Sequence, residues 1–238
     1  VGGFEHKSHP EIGKKISEVT DIKSNKVIYS NASSVFEEAN VVIDFTTPQS
    51  TLSNVRIASI SKTALVIGTT GITNTQKAKI KSYSKKIPIL MSSNMSVGVN
   101  LLFDLVRQAA SSLHGDEYDI EIAETHHKHK LDAPSGTALS LGEHAAAGRK
   151  TKLDKKKVLD RTKSLKKRKN GDIGFSVTRG GEIAGEHTVS FISRDDRIDF
   201  YHKANNRSIF VTGALKAALF VYRQKSGFFD MSSLLKIK

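Results

Sequence analysis

The sequence contains no cysteine, so it forms no disulfide framework and no cysteine-ligated metal site. Because disulfides belong to oxidising compartments, their absence favours an intracellular, cytoplasmic location. No apolar run approaches the roughly 20 residues of a membrane-spanning helix, and no signal peptide is recognisable, so no membrane partner is expected. The chain starts at Val1 rather than at methionine, which indicates a fragment or a processed chain.

The sequence also lacks the glycine-rich turns that bind phosphates in many nucleotide-binding proteins. None of its 17 glycines falls in a G-x-G-x-x-G pattern, and the P-loop combination of glycines with a lysine is missing as well. A P-loop type of polyphosphate site is therefore excluded. If the fold binds a dinucleotide, its first strand and glycine-rich turn are expected upstream of Val1.

Positive charge is concentrated in one segment. Lysine and arginine number 37 against 24 acidic residues, a net charge of +13. Residues 149–169 hold twelve of the basic residues and two aspartates, a net of +10, so the rest of the chain carries +3. Because this segment has no interleaved aromatic residues for stacking bases, we expect a solvated loop and no nucleic-acid partner. A basic polyanion-binding protein remains an alternative function.

Strand-like and helix-like segments alternate through the first part of the chain. Strands are predicted at 25–29, 41–46, 64–67 and 87–91. Helices are predicted at 33–39, 48–60 and 74–86. Ser33 or Ser34 is the expected cap of the first helix, and Pro88 indicates a strand that starts there or lies at an edge. The alternation predicts an α/β fold with a doubly wound, Rossmann-like parallel sheet.

Ligands of such sheets bind beyond the carboxyl ends of the strands. Three loops rich in small, hydrogen-bonding residues follow the predicted strands at that end. Their residues are Phe45, Thr46, Gly68, Thr69, Thr70, Ser92, Ser93, Asn94 and Met95. Since ordinary turns also favour glycine, serine, threonine and asparagine, the loops alone do not identify a ligand.

The second part of the chain is expected to begin with a helix at 97–113. Strands are then predicted at 118–123, 172–181, 185–191 and 197–203. A final helix is predicted at 208–225, with Gly227 just beyond its end. His187 falls inside one of these strands, where a histidine in a sheet interface is the simplest interpretation.

A loop dense in histidine lies between a strand and a helix start, within residues 121–137. His126, His127, His129 and Lys130 fall within five positions. Behind them, Asp132 to Thr137 read as the cap and first turn of a helix, whose unpaired N–H groups attract anions. Gly136 allows a ligand to approach the backbone, and the Thr137 hydroxyl is a further donor. The loop thus predicts a pocket that binds carboxylate or phosphate while a histidine supplies a proton.

Two other interpretations of the histidines were weighed. Isolated loop histidines are usually solvated and have no function, but a cluster this dense at a helix start favours a functional role. The three histidines are also potential zinc ligands, yet their spacing matches no known zinc pattern, and the nearest carboxylates, Glu121 and Glu124, point to opposite faces of a strand. No metal is therefore expected.

The stretch HHKHKLDAPSGTA closely resembles the signature of the dihydrodipicolinate reductase family, also called 4-hydroxy-tetrahydrodipicolinate reductase. The resemblance implies that His126 is the acid/base histidine and Lys130 the proton-donating lysine. It also implies that His127, Gly136 and Thr137 contact the substrate carboxylates. The segments DFT, GTTG and N-x-S-V-G-V resemble the loops that line the nicotinamide cofactor in this family, although Met95 stands where an aromatic residue is usual.

The resemblance extends over the whole chain. Glu5 matches the acid at the tip of a strand that binds the adenosine ribose, and His6 replaces the usual basic residue, which tilts preference towards NADH over NADPH. The resemblance implies two domains. The cofactor domain comprises 1–96 with 207–238 and is incomplete at its amino end, and the substrate and oligomerisation domain comprises 97–206. The resemblance also implies that the second domain has an open mixed sheet and assembles into a homotetramer. The basic segment lacks the family's glycines between Arg161 and Arg168.

The implied activity is NADH- or NADPH-dependent reduction of a small cyclic imine dicarboxylate, 4-hydroxy-tetrahydrodipicolinate, to tetrahydrodipicolinate in diaminopimelate and lysine synthesis. Hydride addition builds electron density on the ring, which a nearby cationic or acidic group stabilises. A catalytically impaired, truncated homologue is the second alternative, since the chain has no glycine-rich turn to hold a dinucleotide.

Overall fold

The computed structural model describes residues 1–162 and 166–235. Part of the basic segment, residues 163–165, therefore lies outside the described chain. The strands are β1 Gly3–Phe4, β2 Ile28–Tyr29, β3 Val41–Asp44, β4 Ala64–Ile67, β5 Pro88–Met91, β6 Asp119–His126, β7 Lys157–Val158, β8 Ile173–Arg179, β9 Glu186–Ile192, β10 Arg197–Lys203 and β11 Gly227–Phe229. The helices are α1 Ile16–Val19, α2 Ala32–Glu38, α3 Pro48–Ser61, α4 Asn74–Tyr83, α5 Val97–Ser112, α6 Gly136–Gly148, α7 Ser208–Tyr222 and α8 Met231–Leu235, with a 3-10 turn at Leu153–Lys155. Within the described ranges, no helix has the length and apolar character that crossing a membrane requires.

The chain divides into two compact units. Unit 1 comprises residues 1–93 and 213–234, and unit 2 comprises residues 94–212 with the chain from 235 onward. The boundary between residues 212 and 213, where the chain returns from unit 2 to unit 1, falls inside α7. The predicted functional domains, 1–96 with 207–238 and 97–206, stay a prediction, and residues 236–238 lie outside the described chain.

Unit 1 contains a four-stranded parallel sheet in the order β11-β5-β4-β3, and β1 pairs with β2 in a separate parallel ribbon. All four residues of β4 are buried, as expected of a strand covered on both faces. The core contains Phe36, Leu65, Ile67, Ile80 and Ile89. Thr47 caps α3 and Pro48 occupies its first turn, which explains why this helix begins directly beyond β3.

Unit 2 contains a five-stranded mixed sheet in the order β10-β9-β6-β8-β7. The central strand β6 runs parallel to β8 and antiparallel to β9. Its residues alternate, so that Ile120, Ile122, Glu124 and His126 are buried while their neighbours are more exposed. Helices α5 and α6 supply apolar side chains to the same core. The predicted α/β class, with a Rossmann-like parallel sheet and a second unit built on a mixed sheet, is confirmed.

Two local predictions differ from the structure, and a third is confirmed in one of its two forms. Helix α2 is capped by Asn31, whose side chain accepts a hydrogen bond from the Ser33 N–H, rather than by Ser33 or Ser34. Helix α7 ends at Tyr222, and Gly227 begins β11 instead of following a helix. The prediction that a strand starts at Pro88 or lies at an edge is confirmed in its first form, since β5 begins at Pro88. The strand is an inner one, because it pairs with both β11 and β4.

Candidate functional site

Strand β6 carries the central side chains of the site in unit 2. The two-residue period of a strand places Glu124 and His126 on its buried face, where they are 2% and 8% exposed. Across the sheet, Glu124 lies opposite His187 of β9, and His126 lies opposite Arg179 of β8. Strand pairing thus brings together four polar side chains that are far apart in the sequence.

Glu124 accepts hydrogen bonds on both carboxylate oxygens. Nη1 of Arg179 donates to Oε2 and Nη2 donates to Oε1, both at 2.9 Å. The backbone N–H of Ser135 donates to Oε1 at 3.0 Å, and Nδ1 of His126 is hydrogen-bonded to Oε2. Burial raises the pKa of Glu124, but the hydrogen bonds from Arg179, His126 and Ser135 outweigh it and hold the pKa below its usual value. The carboxylate is therefore ionised at neutral pH and acts as an acceptor.

The protonation of His126 is set by opposing effects. Burial lowers its pKa below the usual value, and the positive charges of Lys130 and Arg179 lower it further. The hydrogen bond and the charge of Glu124 raise it. Because Glu124 accepts at Nδ1, the free nitrogen of His126 is Nε2, the atom available for proton exchange with a ligand.

His187 lies beside His126 inside unit 2. It is 5% exposed, its ring centroid is 5.1 Å from that of His126, and its Nε2 is 3.2 Å from Oγ of Ser135. Burial, together with the nearby His126, lowers the pKa of His187 to about 4. His187 is therefore neutral at physiological pH. The sequence led us to expect His187 in a sheet interface. In the structure it lies on the buried face of the sheet, next to His126.

The loop after β6 leads into an anion-binding helix start. Ser135 caps α6 by accepting a hydrogen bond from the Ala138 N–H, and Gly136 is the first helical residue, with open space around its Cα. Nζ of Lys130 lies 2.7 Å from Oδ1 of Asp132. The hydrogen bond and charge of Lys130, aided by the Gly136 N–H, lower the pKa of Asp132. In this structure the Asp132 carboxylate is therefore the anion that meets Lys130 and the helix start.

Thr137 and His127 are held by nearby polar groups. Nδ2 of Asn94 donates to Oγ1 of Thr137 at 3.1 Å, and the Asn94 side-chain oxygen accepts from the Ser96 N–H. The His127 N–H donates to the carbonyl of Ile183, which fixes the backbone of the histidine loop. Unit 2 thus brings His126, Lys130, Gly136 and Thr137 of the predicted site onto one strand end and the helix start that follows it.

Among the described residues, the group that could hold a metal ion includes only one of the three loop histidines, His126. Glu124, His126 and His187 offer donor atoms within 4.8 Å of one another. However, both oxygens of Glu124 already accept hydrogen bonds from Arg179, and a guanidinium beside the carboxylate opposes a cation there. These contacts fit a hydrogen-bonded array of Glu124, His126, Arg179, Ser135 and His187 rather than a metal centre.

Unit 1 arranges the loops beyond its parallel strands through one buried aspartate. Oδ1 of Asp44 accepts from the Thr46 N–H at 2.9 Å and from the Thr46 hydroxyl at 2.6 Å. Oγ1 of Thr69 accepts from Thr51 at 2.9 Å and from the Thr46 N–H at 3.1 Å. The Phe45 ring lies where a Cβ on Gly68 would be, so a side chain at Gly68 would require this exposed ring to move. These contacts hold the first two candidate cofactor loops together.

The other predicted cofactor residues differ in their accessibility. Thr70 and Ser93 are exposed to solvent, and Ser92 is half-buried. Thr69 is 4% exposed and positions the loop rather than presenting its hydroxyl. Met95 is 1% exposed and offers a ligand no side-chain surface.

A cavity of about 900 Å³ in unit 1 is lined by the start of the chain, β3 and α7. Its lining includes Val42, Leu219, Glu5, Phe45 and Thr46. The Glu5 N–H donates to the carbonyl of Tyr29, so the acid is held at the end of β1. A carboxylate in that position is the usual acceptor for ribose hydroxyls, and a mainly apolar cleft with a few polar groups suits a nicotinamide cofactor. The residues of unit 1 therefore fit such a cofactor.

Two arginines of the basic segment bind acidic residues of the same chain. Arg161 lies 2.8 Å from Glu121, and Arg168 lies 3.0 Å from Asp119 and 3.4 Å from Glu121. Arg149 donates to the Tyr118 carbonyl at 3.1 Å. The charges of Arg161 and Arg168 are thus paired within the chain, which weakens the polyanion-binding alternative.

Models of the two domains of one enzyme family match the chain from end to end. The model for the N-terminus of dihydrodipicolinate reductase matches residues 1–95, and the model for its C-terminus matches residues 98–235. The chain belongs to the dihydrodipicolinate reductase family. It is accordingly an oxidoreductase with a nicotinamide cofactor.

Relatives of the dihydrodipicolinate reductase family cover most of the sequence. The 4-hydroxy-tetrahydrodipicolinate reductase of Polynucleobacter necessarius is 43% identical over 238 residues, which span 100% of this chain and 89% of the relative. That of Rhodopseudomonas palustris is 49% identical over 198 residues, 83% of this chain and 73% of the relative. Among solved structures, a dipicolinate-bound dihydrodipicolinate reductase from Paenisporosarcina sp. TG-14 has a TM-score of 0.74 at 23% identity, covering 96% of this chain and 86% of that one, which supports the fold.

Glu124, Arg179 and Ser135 are members of the array that sequence reasoning did not assign to the site. A signal for Glu124 was present, because residues 120, 122, 124 and 126 share one face of a strand. Arg179 gave no such signal, since its distance from Glu124 depends on how β8 pairs with β6. The predicted amino-terminal truncation stays a prediction.

Proposed function

We propose that the protein reduces 4-hydroxy-tetrahydrodipicolinate to tetrahydrodipicolinate in diaminopimelate and lysine synthesis. The observation that supports this most directly is the array in unit 2, where a buried, protonatable His126 lies beside a cationic Lys130 and an anion-binding helix start. A small ring with two carboxylates presents the charges that such a site binds. The substrate loses water, and the ring takes up a hydride and a proton.

Four groups of unit 2 are proposed to bind the substrate carboxylates. The ammonium of Lys130 supplies a full positive charge, and the exposed N–H groups at Gly136 and Thr137 supply the partial charge of the helix start. The Thr137 hydroxyl, already positioned by Asn94, adds a directional hydrogen bond. His127 is assigned a supporting contact. Fixing both carboxylates determines which ring atom faces the hydride donor.

His126 and Lys130 are proposed as the groups that handle protons. The nicotinamide supplies a hydride when it is bound, and negative charge then develops on the substrate ring. Nε2 of His126 is the available nitrogen, because Nδ1 is engaged with Glu124. Lys130 is proposed to stabilise the developing charge and to share in proton delivery. Burial lowers the pKa of His126 and Glu124 opposes that shift, so the imidazole is proposed as the group that both takes up and releases the proton.

We propose NADH as the preferred cofactor over NADPH. Glu5 carries an ionisable carboxylate at the end of β1, where it can accept both adenosine ribose hydroxyls and would repel a 2′-phosphate. The next residue is His6, whose Nδ1 is 2.8 Å from the Ser8 hydroxyl and which lacks the fixed charge of an arginine. The contacts of Phe45, Thr46, Gly68, Thr70, Ser92, Ser93 and Asn94 with the cofactor are part of this proposal.

Cofactor preference is tested by exchanging the charge beside Glu5. The variant His6→Arg should lower KM for NADPH several-fold while leaving KM for NADH nearly unchanged, because an arginine can pair with a 2′-phosphate. Lys7→Arg, one residue further along, is the matched control. An unchanged preference in His6→Arg would remove this strand end from the ribose site.

A homotetramer in the cytoplasm is proposed for the assembled protein. The outward face of the unit 2 sheet carries exposed side chains such as Ser176, Thr178 and Tyr201, which leaves the face accessible to other copies of the chain. The absence of cysteine agrees with a reducing compartment. Light scattering at several concentrations tests the assembly, and a monomer throughout would reject it.

The activity is tested by following cofactor oxidation with freshly generated substrate. Turnover should be seen with NADH and NADPH and should be inhibited by dipicolinate, a planar ring dicarboxylate. His126→Gln is the matched variant with reduced turnover. Purified chain that turns over neither cofactor would overturn the proposal and favour a catalytically impaired homologue, which calorimetry with NADH would then characterise.

A further inference from the structure

One buried carboxylate connects the acid/base histidine with the helix start of the site. Glu124 is 2% exposed and binds Nδ1 of His126, both terminal nitrogens of Arg179 and the N–H of the helix cap Ser135. A buried, ionised carboxylate is costly unless every lone pair is used, so this degree of satisfaction indicates a fixed, preorganised group. Of its partners, His126 alone is a candidate for chemistry on the substrate.

We infer that Glu124 is a positioning residue, which keeps Nδ1 of His126 protonated and leaves Nε2 as the nitrogen that exchanges protons, and that Arg179 holds Glu124 in place for this task. The inference rests on the proposed reductase function for its kinetic consequences. The same principle applies wherever a carboxylate binds one ring nitrogen of a histidine and thereby fixes the tautomer, so that the second ring nitrogen is left for chemistry.

The charges around His126 explain why such a carboxylate matters. The groups that face the imidazole are Glu124 on its own strand, Lys130 in the following loop, Arg179 on β8 and His187 on β9, with His202 of β10 beyond His187. Burial, Lys130 and Arg179 all oppose protonation of His126. Among these described groups Glu124 is the one that favours it. Without the carboxylate, the pKa of His126 would lie lower still.

Arg179 extends the same connection to the substrate loop. Its Nη2 donates to the Asp132 carbonyl at 2.6 Å as well as to Glu124, and its side chain is 19% exposed. One guanidinium therefore fixes both the partner of His126 and the loop that carries Lys130. This double contact needs the fork geometry of arginine, which a lysine does not reproduce.

The kinetic test compares two glutamates of β6. Glu124→Gln removes the charge but keeps an oxygen for the Ser135 N–H, so kcat should fall at least about 10-fold with a much smaller change in KM. Because the pKa of His126 should fall, the basic limb of the kcat–pH profile should move to lower pH. Glu121→Gln is the control and should keep the wild-type limb. It too removes a carboxylate paired with arginine, but Glu121 lies on the opposite face of β6, where it pairs with Arg161 and Arg168.

Glu124→Asp separates charge from shape. It retains the carboxylate with a shorter reach, so the limb should stay near its wild-type pH even where kcat is reduced. If Glu124→Gln keeps the wild-type limb and kcat within twofold, or if Glu124→Asp moves the limb as far as Glu124→Gln does, the positioning role is refuted.

A measurement on the wild-type protein reads the tautomer of His126 directly. With ¹⁵N-labelled histidine, the neutral ring of His126, assigned by comparison with His126→Gln, should carry its proton on Nδ1. A proton on Nε2 in the neutral wild-type ring would overturn the inference. The measurement needs no turnover, so failure of the inference is distinguishable from failure of the reductase proposal.

Discussion

Nζ of Lys130 lies 2.7 Å from Oδ1 of Asp132, two residues further along the same loop. The aspartate is 58% exposed, whereas the lysine is 22% exposed, so the anion of this pair is the partner that can swing away into solvent. In the chain without substrate, Asp132 therefore satisfies the charge of Lys130 and of the helix start. In the proposed carboxylate clamp, a substrate carboxylate replaces it.

Asp132→Asn removes this competing anion. Exposed ion pairs are worth roughly 0.2–1 kcal/mol, so KM for the dicarboxylate substrate should fall by about two- to fivefold with kcat nearly unchanged. Steady-state kinetics at low ionic strength provides the measurement, and high salt should reduce the difference. Glu182→Gln, which removes the carboxylate 3.6 Å from His129 on the exposed surface, is the control. A rise in KM would mean that Asp132 assists binding instead of competing with it.

Lys130→Ala should affect both binding and turnover. The ammonium is the full positive charge proposed for the carboxylate clamp, and it also stabilises charge on the reduced ring. We expect KM to rise about 10-fold or more and kcat to fall as well. Lys128→Ala, two residues earlier on the exposed loop, is the matched control. Wild-type KM in Lys130→Ala would contradict the clamp.

His126→Gln should separate chemistry from binding. General acid–base groups contribute roughly 10²- to 10⁴-fold, so kcat should fall about 100-fold or more while KM changes little. His144→Gln in α6 is a histidine control outside the array, hydrogen-bonded to the Ser140 carbonyl. Unchanged kcat in His126→Gln would remove the imidazole from the mechanism.

Much of the architecture could be predicted because it is local. Apolar runs such as 64–67 and a proline in the first turn at Pro48 mark a buried strand and a helix start without reference to any other part of the chain. The features that were missed depend on distant pairing. Gly227 looks like the residue after a helix until β11 is seen to pair with Pro88. Asn31 and Ser33 are both good caps, and the backbone geometry of Asn31 decides between them.

The same distinction applies to the site. The cluster of His126, Lys130 and Gly136 is contiguous in the sequence, so its chemistry could be proposed from spacing alone. Arg179 comes 55 residues after Glu124, and its two hydrogen bonds depend on the parallel register of β6 with β8. A shift of one residue would turn Arg179 to the other face of the sheet. Register is a property of the folded sheet, which explains why the array appeared only in the structure.

His187 should make the stability of the fold depend on pH. Its pKa is lowered from 6.5 to about 4 in the folded protein, so the unfolded chain binds the proton more tightly. The contribution is fully present above the unfolded pKa and is lost as pH falls from 6.5 towards 4. Linkage gives a loss of about 2 kcal/mol by pH 5.

Urea unfolding of wild type and His187→Gln at pH 7.5 and pH 5.0 tests this dependence. The free energy of unfolding of the wild type should fall by about 2 kcal/mol more than that of the variant. His129→Gln, whose side chain is 67% exposed in the native protein, should follow the wild type. Parallel curves for wild type and His187→Gln would show that His187 is not held neutral by burial.

Gly185 limits the space around the reactive nitrogen of His126. A Cβ added at Gly185 would lie 2.9 Å from Nε2 of His126, and the residue has a φ of +151°, which side chains rarely adopt. Gly185→Ala should therefore displace the imidazole, lower kcat about 10-fold or more and cost roughly 1–3 kcal/mol of stability.

Gly180→Ala is the matched control for that substitution, because a Cβ at Gly180 meets no atom within 4 Å. It should keep kcat within about twofold and unfold close to the wild type. Measuring kcat together with urea unfolding separates displacement of His126 from general destabilisation. If Gly185→Ala loses stability but keeps wild-type kcat at a temperature where it is folded, Nε2 of His126 is not the atom that delivers the proton, because a nitrogen in that role could not move without loss of rate.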